Sequence, residues 1–437
     1  MKKNNQNLSK ELFIPVIEQV KDGKYDEALA LLDKLLEKNQ SEKIIFKLKA
    51  SIFLKKKDWI NSIFYYEKVR NADNNSEVSN NIGIALYNLG KLSEAIIQFQ
   101  SSVNTNKNFL SGYENLGMTY KLLGKYELSI IFFLEALKLN LYNDRVKNFL
   151  IDICNYYDPI NNQRYIIDIN SQINNLNLFE NEKKIIKNSE IFKLFENSEK
   201  LLRVNKVNFN YPETQIFRRN KSNLNCKRHL KVFSEHNIIP SFCFNCYKVQ
   251  ITLNSVLDLI KLYFYFNNLK LENNNIRKCI VELRENIKGN YKGYIFTNSI
   301  KESEHIVNLL NDEIKSAEIN HKGIEIKHGC TEYYEKYQIF KQIDKDNKKE
   351  IYLENWADIE KEFDFKNLIL EKNKEKVFNS TLNKYNLSDF LIIKNWLLYA
   401  KTIGDNSYKE ISKFDLKENY LVKILEPQVN LRKEELS

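Results

Sequence analysis

All five histidines and five of the six cysteines lie between Cys226 and Cys330, while the first 225 residues hold one cysteine, Cys154, and no histidine. Within that window, Cys226-Lys-Arg-His229 is followed by Cys243-Phe-Asn-Cys246, a spacing of C-x2-H-x13-C-x2-C. Each pair can span one edge of a tetrahedron, and the loop between them lets the two edges meet on one ion, which is the arithmetic of a structural zinc site. A CxxC can instead be a redox pair, but that chemistry expects the motif to open a helix after a strand, and here a strand follows it. The plain alternative is that Cys243 and Cys246 are buried thiols and His229 a helix-surface residue. Four cysteines would also hold an iron-sulfur cluster; the histidine among the donors favours zinc.

The elements that must position these donors follow in a definite order. Tyr247 to Thr252 alternates as a strand, Ser255 to Phe266 is an apolar helix, and Arg277 to Arg284 and Tyr291 to Thr297 are strands. Glu302 to Ala317 carries a helical stripe, and Gly323 to Lys327 closes as a strand. The order βαββαβ is that of the ferredoxin-like fold. There the last strand runs antiparallel beside the first, which would bring His328 and Cys330 towards Cys243 and Cys246. The expected ligand set is Cys226, Cys243, Cys246 and Cys330, with His229 as substitute or outer partner. Cys279 shares the period-two register of Val281 and Leu283 and is assigned to the core, as is Cys154 in its helix.

Lys292-Gly-Tyr-Ile-Phe-Thr297 resembles part of the RNP1 signature of RNA recognition motifs, which implies base stacking on Tyr294 and Phe296 beside Lys292, with Arg218 and Arg219 on the phosphates. Ser299 and Gln250 depart from that pattern, since both positions should be aromatic. The formal net charge of +10 is concentrated between Lys200 and Lys231, where nine Lys or Arg face one acid, Glu213. Four thiolates on zinc leave a net charge of minus two, so this stretch has a structural use as well as a nucleic-acid one.

The first third carries an internal period. Gly23-Lys-Tyr25, Lys57-Asp-Trp59, Gly90-Lys-Leu92 and Gly124-Lys-Tyr126 recur at steps of 34, 33 and 34 residues. Asn81-Ile-Gly83-Ile-Ala85 matches Asn115-Leu-Gly117-Met-Thr119, and Ser93 to Phe99 matches Glu127 to Phe133. The pattern, over about residues 8 to 140, resembles the tetratricopeptide repeat. The resemblance implies antiparallel helix pairs crossing closely at Ala28, Ser62, Ala95 and Ser129, with Gly83 and Gly117 opposite and Leu32, Tyr66, Phe99 and Phe133 filling the gaps. It also implies a groove for a peptide or partner helix. Asn81 and Asn115 stand where some members grip a terminal carboxylate; Lys47 fits one accompanying basic position, and Ser51 and Ser111 depart from two others. Asp144 to Tyr157 reads as a closing helix.

These readings give an α+β protein in four segments. Residues 1–158 form a repeat solenoid with its cap, and 159–210 a linker and helical connector. Residues 211–345 form a ferredoxin-like module with a Cys/His metal site, and 346–437 a helical extension. The longest apolar runs are far short of the ~20 residues that cross a bilayer, and Met1 to Lys10 lacks the apolar core of a secretory signal, so a cytoplasmic location is expected. No Walker loop, GxGxxG, HExxH or nucleophile elbow occurs. Enzyme chemistry would rest on a reactive thiol at Cys330 or on an open metal site. The expected function is an adaptor that grips a protein or peptide in its repeat groove, with RNA binding and metal- or thiol-dependent catalysis as alternatives.

Overall fold

A computed structural model describes residues 12–38, 42–70, 75–159, 165–176, 186–222, 224–371, 379–414 and 416–436, with side chains as far as residue 365 in the helix that ends at 371. The polar Met1 to Lys10 segment and parts of the expected linker lie outside them. The chain forms two compact units: Met1–Val146 with Phe365–Val377, and Lys147–Asp364 with Phe378–Ser437.

The first unit contains four helical hairpins: α1 (Ile14–Lys21) with α2 (Tyr25–Glu37), α3 (Glu42–Lys55) with α4 (Trp59–Arg70), α5 (Ser76–Asn88) with α6 (Leu92–Thr105), and α7 (Leu110–Leu122) with α8 (Tyr126–Leu139). Each hairpin turns on one residue in the left-handed region: Gly23, Gly90 and Gly124, and in the second hairpin Lys57 at φ 61°. The residue after it donates its N–H back to the carbonyl five positions earlier, Lys91 to Leu86 at 3.0 Å and Lys125 to Tyr120 at 2.9 Å. This closes the helix end where only glycine escapes a Cβ penalty. The two helices then cross so closely that a Cβ on Gly83 would lie 2.5 Å from the Phe99 ring, and one on Gly117 2.5 Å from Phe133. Where the crossing residue is serine, its hydroxyl is satisfied across the helix pair: Ser62 Oγ donates to the Ala50 carbonyl (3.0 Å) and Ser129 Oγ to that of Gly117 (2.7 Å).

The second unit takes in most of α9 (Asp144–Ile153), then α10 (Tyr165–Asn175), α11 (Asn188–Val204), β1 (Gln215–Arg218) and α12 (Cys226–His236). A 3-10 turn, Ser241–Asn245, leads into β2 (Tyr247–Leu253), α13 (Val256–Asn268), β3 (Arg277–Val281), β4 (Tyr291–Thr297), α14 (Ile300–Ser316) and β5 (His321–His328). Helices α15 (Asn347–Ile351), α16 (Glu354–Glu371, whose last residues fall to the first unit), α17 (Leu387–Ile403), α18 (Tyr420–Leu425) and α19 (Val429–Glu434) complete it. The class is α+β. The sheet order is β1-β3-β4-β2-β5, with every neighbour antiparallel. Strands β2 and β3, joined by α13, are separated by β4. Gly293 lets α13 lie close to the sheet, since a Cβ there would fall 2.3 Å from Leu262 Cδ2.

Three expectations change. Residues 159–210 do not act as a mere connector: α10 and α11 pack on α17, with Phe195 and Phe390 ring centroids 4.9 Å apart and the Leu387 N–H donating to Asn170. The C-terminal residues from 378 belong to the same unit, because α17 is buried along nearly its whole length and a helix apolar all round must be surrounded. From Lys147 onward, α9 belongs to this unit as well, rather than to a cap of the first; its Asp152 accepts from Tyr211 at 2.7 Å.

Candidate functional site

Antiparallel pairing of β2 with β5 sets Tyr247 opposite His328, so the residues just before β2 and just after β5 meet at one end of the sheet. The Gly329 N–H donates to the Cys246 carbonyl at 2.8 Å. Cys246 Sγ fills the place of a Gly329 Cβ, 2.5 Å from where one would stand, so only glycine fits beside that sulfur. Cys330 follows directly, packed on the cluster that contains Cys243, Tyr333 and Phe340. Cys243 Sγ lies 3.4 Å from the Tyr333 hydroxyl. Cys226 opens α12, solvent-accessible but crowded enough that desolvation lifts its thiol.

Burial pushes Cys243 up to about 12 and Cys246 to about 11, and raises Cys330 further, while each thiol also feels the charge of the others. They are therefore neutral near pH 7, the reverse of an activated nucleophile, which removes the support for a reactive Cys330. Among the described residues, no three His, Cys, Asp or Glu side chains converge as a formed metal cage. The four thiols share one neighbourhood without closing on one point. As a donor set they suit a soft, thiolate-binding ion, and a χ1 step between staggered wells is the motion that would turn each sulfur.

His229 is buried and stacked on Phe242 at 5.1 Å, and burial, then the adjacent Arg228, lower its imidazole to about 4. His328 is sandwiched between Tyr247 (4.9 Å) and Phe340 (3.9 Å). Cys279 and Cys154 are buried.

One face of the sheet carries α13 and α14. The register places Lys248, Gln250, Lys278, Lys292, Tyr294, Phe296 and Phe217 together on the other. Lys292 is buried against Glu282 at 2.9 Å, and Tyr294 is only 5% exposed, with the Lys248 and Lys278 ammonium groups 5.2 and 5.9 Å from its ring centre. Arg218 points to the opposite face, buried and paired with Asp389 at 2.7 Å. Arg219 is exposed over the Phe217 ring at 4.3 Å, and Phe296 is half-buried. The five residues expected to meet RNA thus do not form one accessible surface. The basic stretch is likewise engaged locally: Arg228 binds Glu360 and Asp364 at 2.7 and 2.8 Å, and Arg203 reaches Glu199 at 3.6 Å. The polar face itself was legible in the alternation Lys248, Gln250, Thr252 against Val249, Ile251, Leu253.

In the first unit, Lys47, Asn81 and Asn115 recur on α3, α5 and α7. Lys47 pairs with Glu77 (2.6 Å), Asn81 donates to the Tyr66 hydroxyl (2.9 Å), and Asn115 to Asn80 (2.8 Å). With Asn143 donating to Glu114 (2.6 Å), they make a polar ladder from one hairpin to the next. The second helices expose an apolar residue at one repeat position: Phe64 (52%), Ile97 (61%) and Ile131 (36%).

Comparison with curated proteins gives no match. Among solved structures, the chain is similar to a MamA crystal structure (16% identity over 30% of this chain and 78% of that one, TM-score 0.29). It is also similar to a MamA fragment from Desulfovibrio magneticus RS-1 (19% identity, 31% and 77% covered, TM-score 0.29). A third likeness is to YrrB, described as a TPR protein with an unusual peptide-binding site (18% identity, 32% and 72% covered, TM-score 0.29). Residues 110–143, the fourth hairpin, match the tetratricopeptide repeat family. With the recurring turns, glycine crossings and 33- to 34-residue step, that match identifies the N-terminal third of the chain as a tetratricopeptide-repeat protein.

Proposed function

We propose that this protein is an interaction adaptor whose repeat unit receives a peptide or helix from a protein partner. The observation that carries this is the stack of hairpins built to one pattern, which repeats the same side-chain positions at the surface. Single repeats cannot bury their own apolar face, so stacking yields an extended surface for a partner. The polar ladder from Lys47 through Asn81 to Asn115 supplies donors and acceptors along the first helices, and the second helices expose an apolar row of their own at Phe64, Ile97 and Ile131. The second unit is read as a ferredoxin-like module with one added strand, supported by the order β3-β4-β2-β5 and the split β2-α13-β3 connection. It is stapled by a structural metal at Cys226, Cys243, Cys246 and Cys330, zinc in preference to an iron-sulfur cluster, supported by the gathering of those thiols at the sheet end.

The test for the adaptor is selection of peptides on the full-length chain, followed by calorimetry. A selected peptide should bind with micromolar affinity and lose it on Asn81→Ala with Asn115→Ala, or on Phe64→Ser with Ile97→Ser. Selected peptides that bind equally well to both variants would place recognition elsewhere and overturn the assignment.

A further inference from the structure

We infer that the second unit binds one chloride-sized monovalent anion beside Arg218 and Arg277, at the buried junction of β1 and β3. The antiparallel register sets these two arginines directly opposite each other. Like charges in that position repel, and here both are removed from water, Arg218 at 5% and Arg277 at 2% exposure.

Arg218 is fully matched. Its guanidinium donates to both Asp389 oxygens (2.7 and 3.3 Å), to Asn267 (2.7 Å), to the Tyr263 hydroxyl (3.1 Å) and to the Phe217 and Lys384 carbonyls (each 3.2 Å), which exhausts its N–H groups. Arg277 is not. It donates to the Phe266 carbonyl near the end of α13 and, at 3.4 Å, to Asn274, while its Nε is buried without a partner. The helix end offsets part of its charge. Among the described residues, however, no carboxylate forms an ion pair with it: Asp389 serves Arg218 and Tyr263, and Glu313 accepts from the Tyr265 hydroxyl at 2.5 Å. Burial, then the Arg218 charge, lowers Arg277 to about 10 against a raising effect of Tyr265, so it is a cation at pH 7. The cluster thus holds two guanidinium groups and one carboxylate, and a buried cation calls for an anion.

A void of about 10 Å3 is lined by both arginines and by neighbours that include Tyr263, Phe266 and Cys279, room for one body about the size of a water molecule. Water there would leave the charge unmatched. A halide is little larger, neutralises it and can accept from the free Nε–H in a charge-assisted bond. Burial pushes the Cys279 thiol up, so it keeps its proton and can serve as a weak second donor. Sulfate and phosphate are too large for the space.

The experiment uses the full-length chain with chloride as the probe. Thermal unfolding of the second unit is followed by tryptophan fluorescence at constant ionic strength, while sodium chloride replaces sodium gluconate. The midpoint should rise by about 2–4 °C; bromide should act as chloride does, and sulfate should not. Arg277→Met should abolish the halide dependence. A midpoint indifferent to halide, as a water-filled void would give, overturns the inference, and so does a dependence undiminished in Arg277→Met. Should that variant not fold, bromide-soaked crystals of the wild-type chain decide: an anomalous peak beside the Arg277 guanidinium upholds the site, and bromide found only elsewhere overturns it.

Discussion

Replacing Gly117 by alanine tests the packing logic of the repeat. In an exposed helix the change would stabilise by about 1 kcal/mol, because alanine has the better helix propensity. Here the new methyl would stand 2.5 Å from two ring carbons of Phe133, about 1 Å inside ordinary contact. The ring has no free direction of escape: Phe133 is fully buried, and the Ser129 hydroxyl, bonded to the Gly117 carbonyl at 2.7 Å, fixes α8 against α7 at that level. Overpacking of this kind costs about 1–3 kcal/mol, and an overlap on two atoms falls near the upper end. The net expectation is a loss of about 2 kcal/mol. Urea unfolding should be followed through Trp59, the one tryptophan of the first unit, so that the repeats report separately from the second unit. In a Phe133→Leu background the clash is gone, and Gly117→Ala should become neutral or stabilising, a coupling of about 2–3 kcal/mol. Stabilisation by Gly117→Ala in the wild-type background would refute the close-crossing argument.

In the second unit, Asp389 accepts from Arg218 at 2.7 and 3.3 Å and from the Tyr263 hydroxyl at 2.8 Å. Asp389→Asn leaves the buried guanidinium uncompensated and should cost about 3–5 kcal/mol, read from the Trp396 unfolding transition; a loss below 1 kcal/mol would show that the pair is not needed. Burial raises the Glu282 carboxyl, but hydrogen bonds from Arg284 and the charge of Lys292 outweigh it and hold the group at about 2, against a usual 4.5. A depressed carboxylate contributes stability that is full above its unfolded value and disappears as pH falls through its folded one. The second unit should therefore lose about 2 kcal/mol between pH 5 and 2 from this group, discounted because Arg284 is half exposed. Glu282→Gln should flatten that limb of the stability-pH curve; an unchanged slope would assign the acid sensitivity elsewhere.

The hairpins were readable because each depends on neighbours within one repeat: a left-handed turn residue and, in the third and fourth, a glycine with a phenylalanine 16 positions later. Lys57 broke the glycine pattern without breaking the turn, since its left-handed backbone is paid for by the packing on either side. The strands from β2 to β5 followed from period-two alternation. β1 was missed because it has four residues, and of the two that are buried one is an arginine, inside a stretch dominated by charge. The net charge of that stretch was a poor guide for the same reason. Arg218 meets an acid 171 positions away, and linear sums of charge carry no information about such pairings.

The sequence by itself determined the repeat, the alternating strands and the concentration of cysteines in one window, because these follow from local periodicity and residue type. Only the tertiary structure decided that the supposed linker and tail form one unit around α17, that Arg218 is internal, and that Cys246 and the Gly329-Cys330 segment meet at one end of the sheet. Those outcomes depend on which distant surfaces exclude water together, and burial of that kind is a property of the assembled chain.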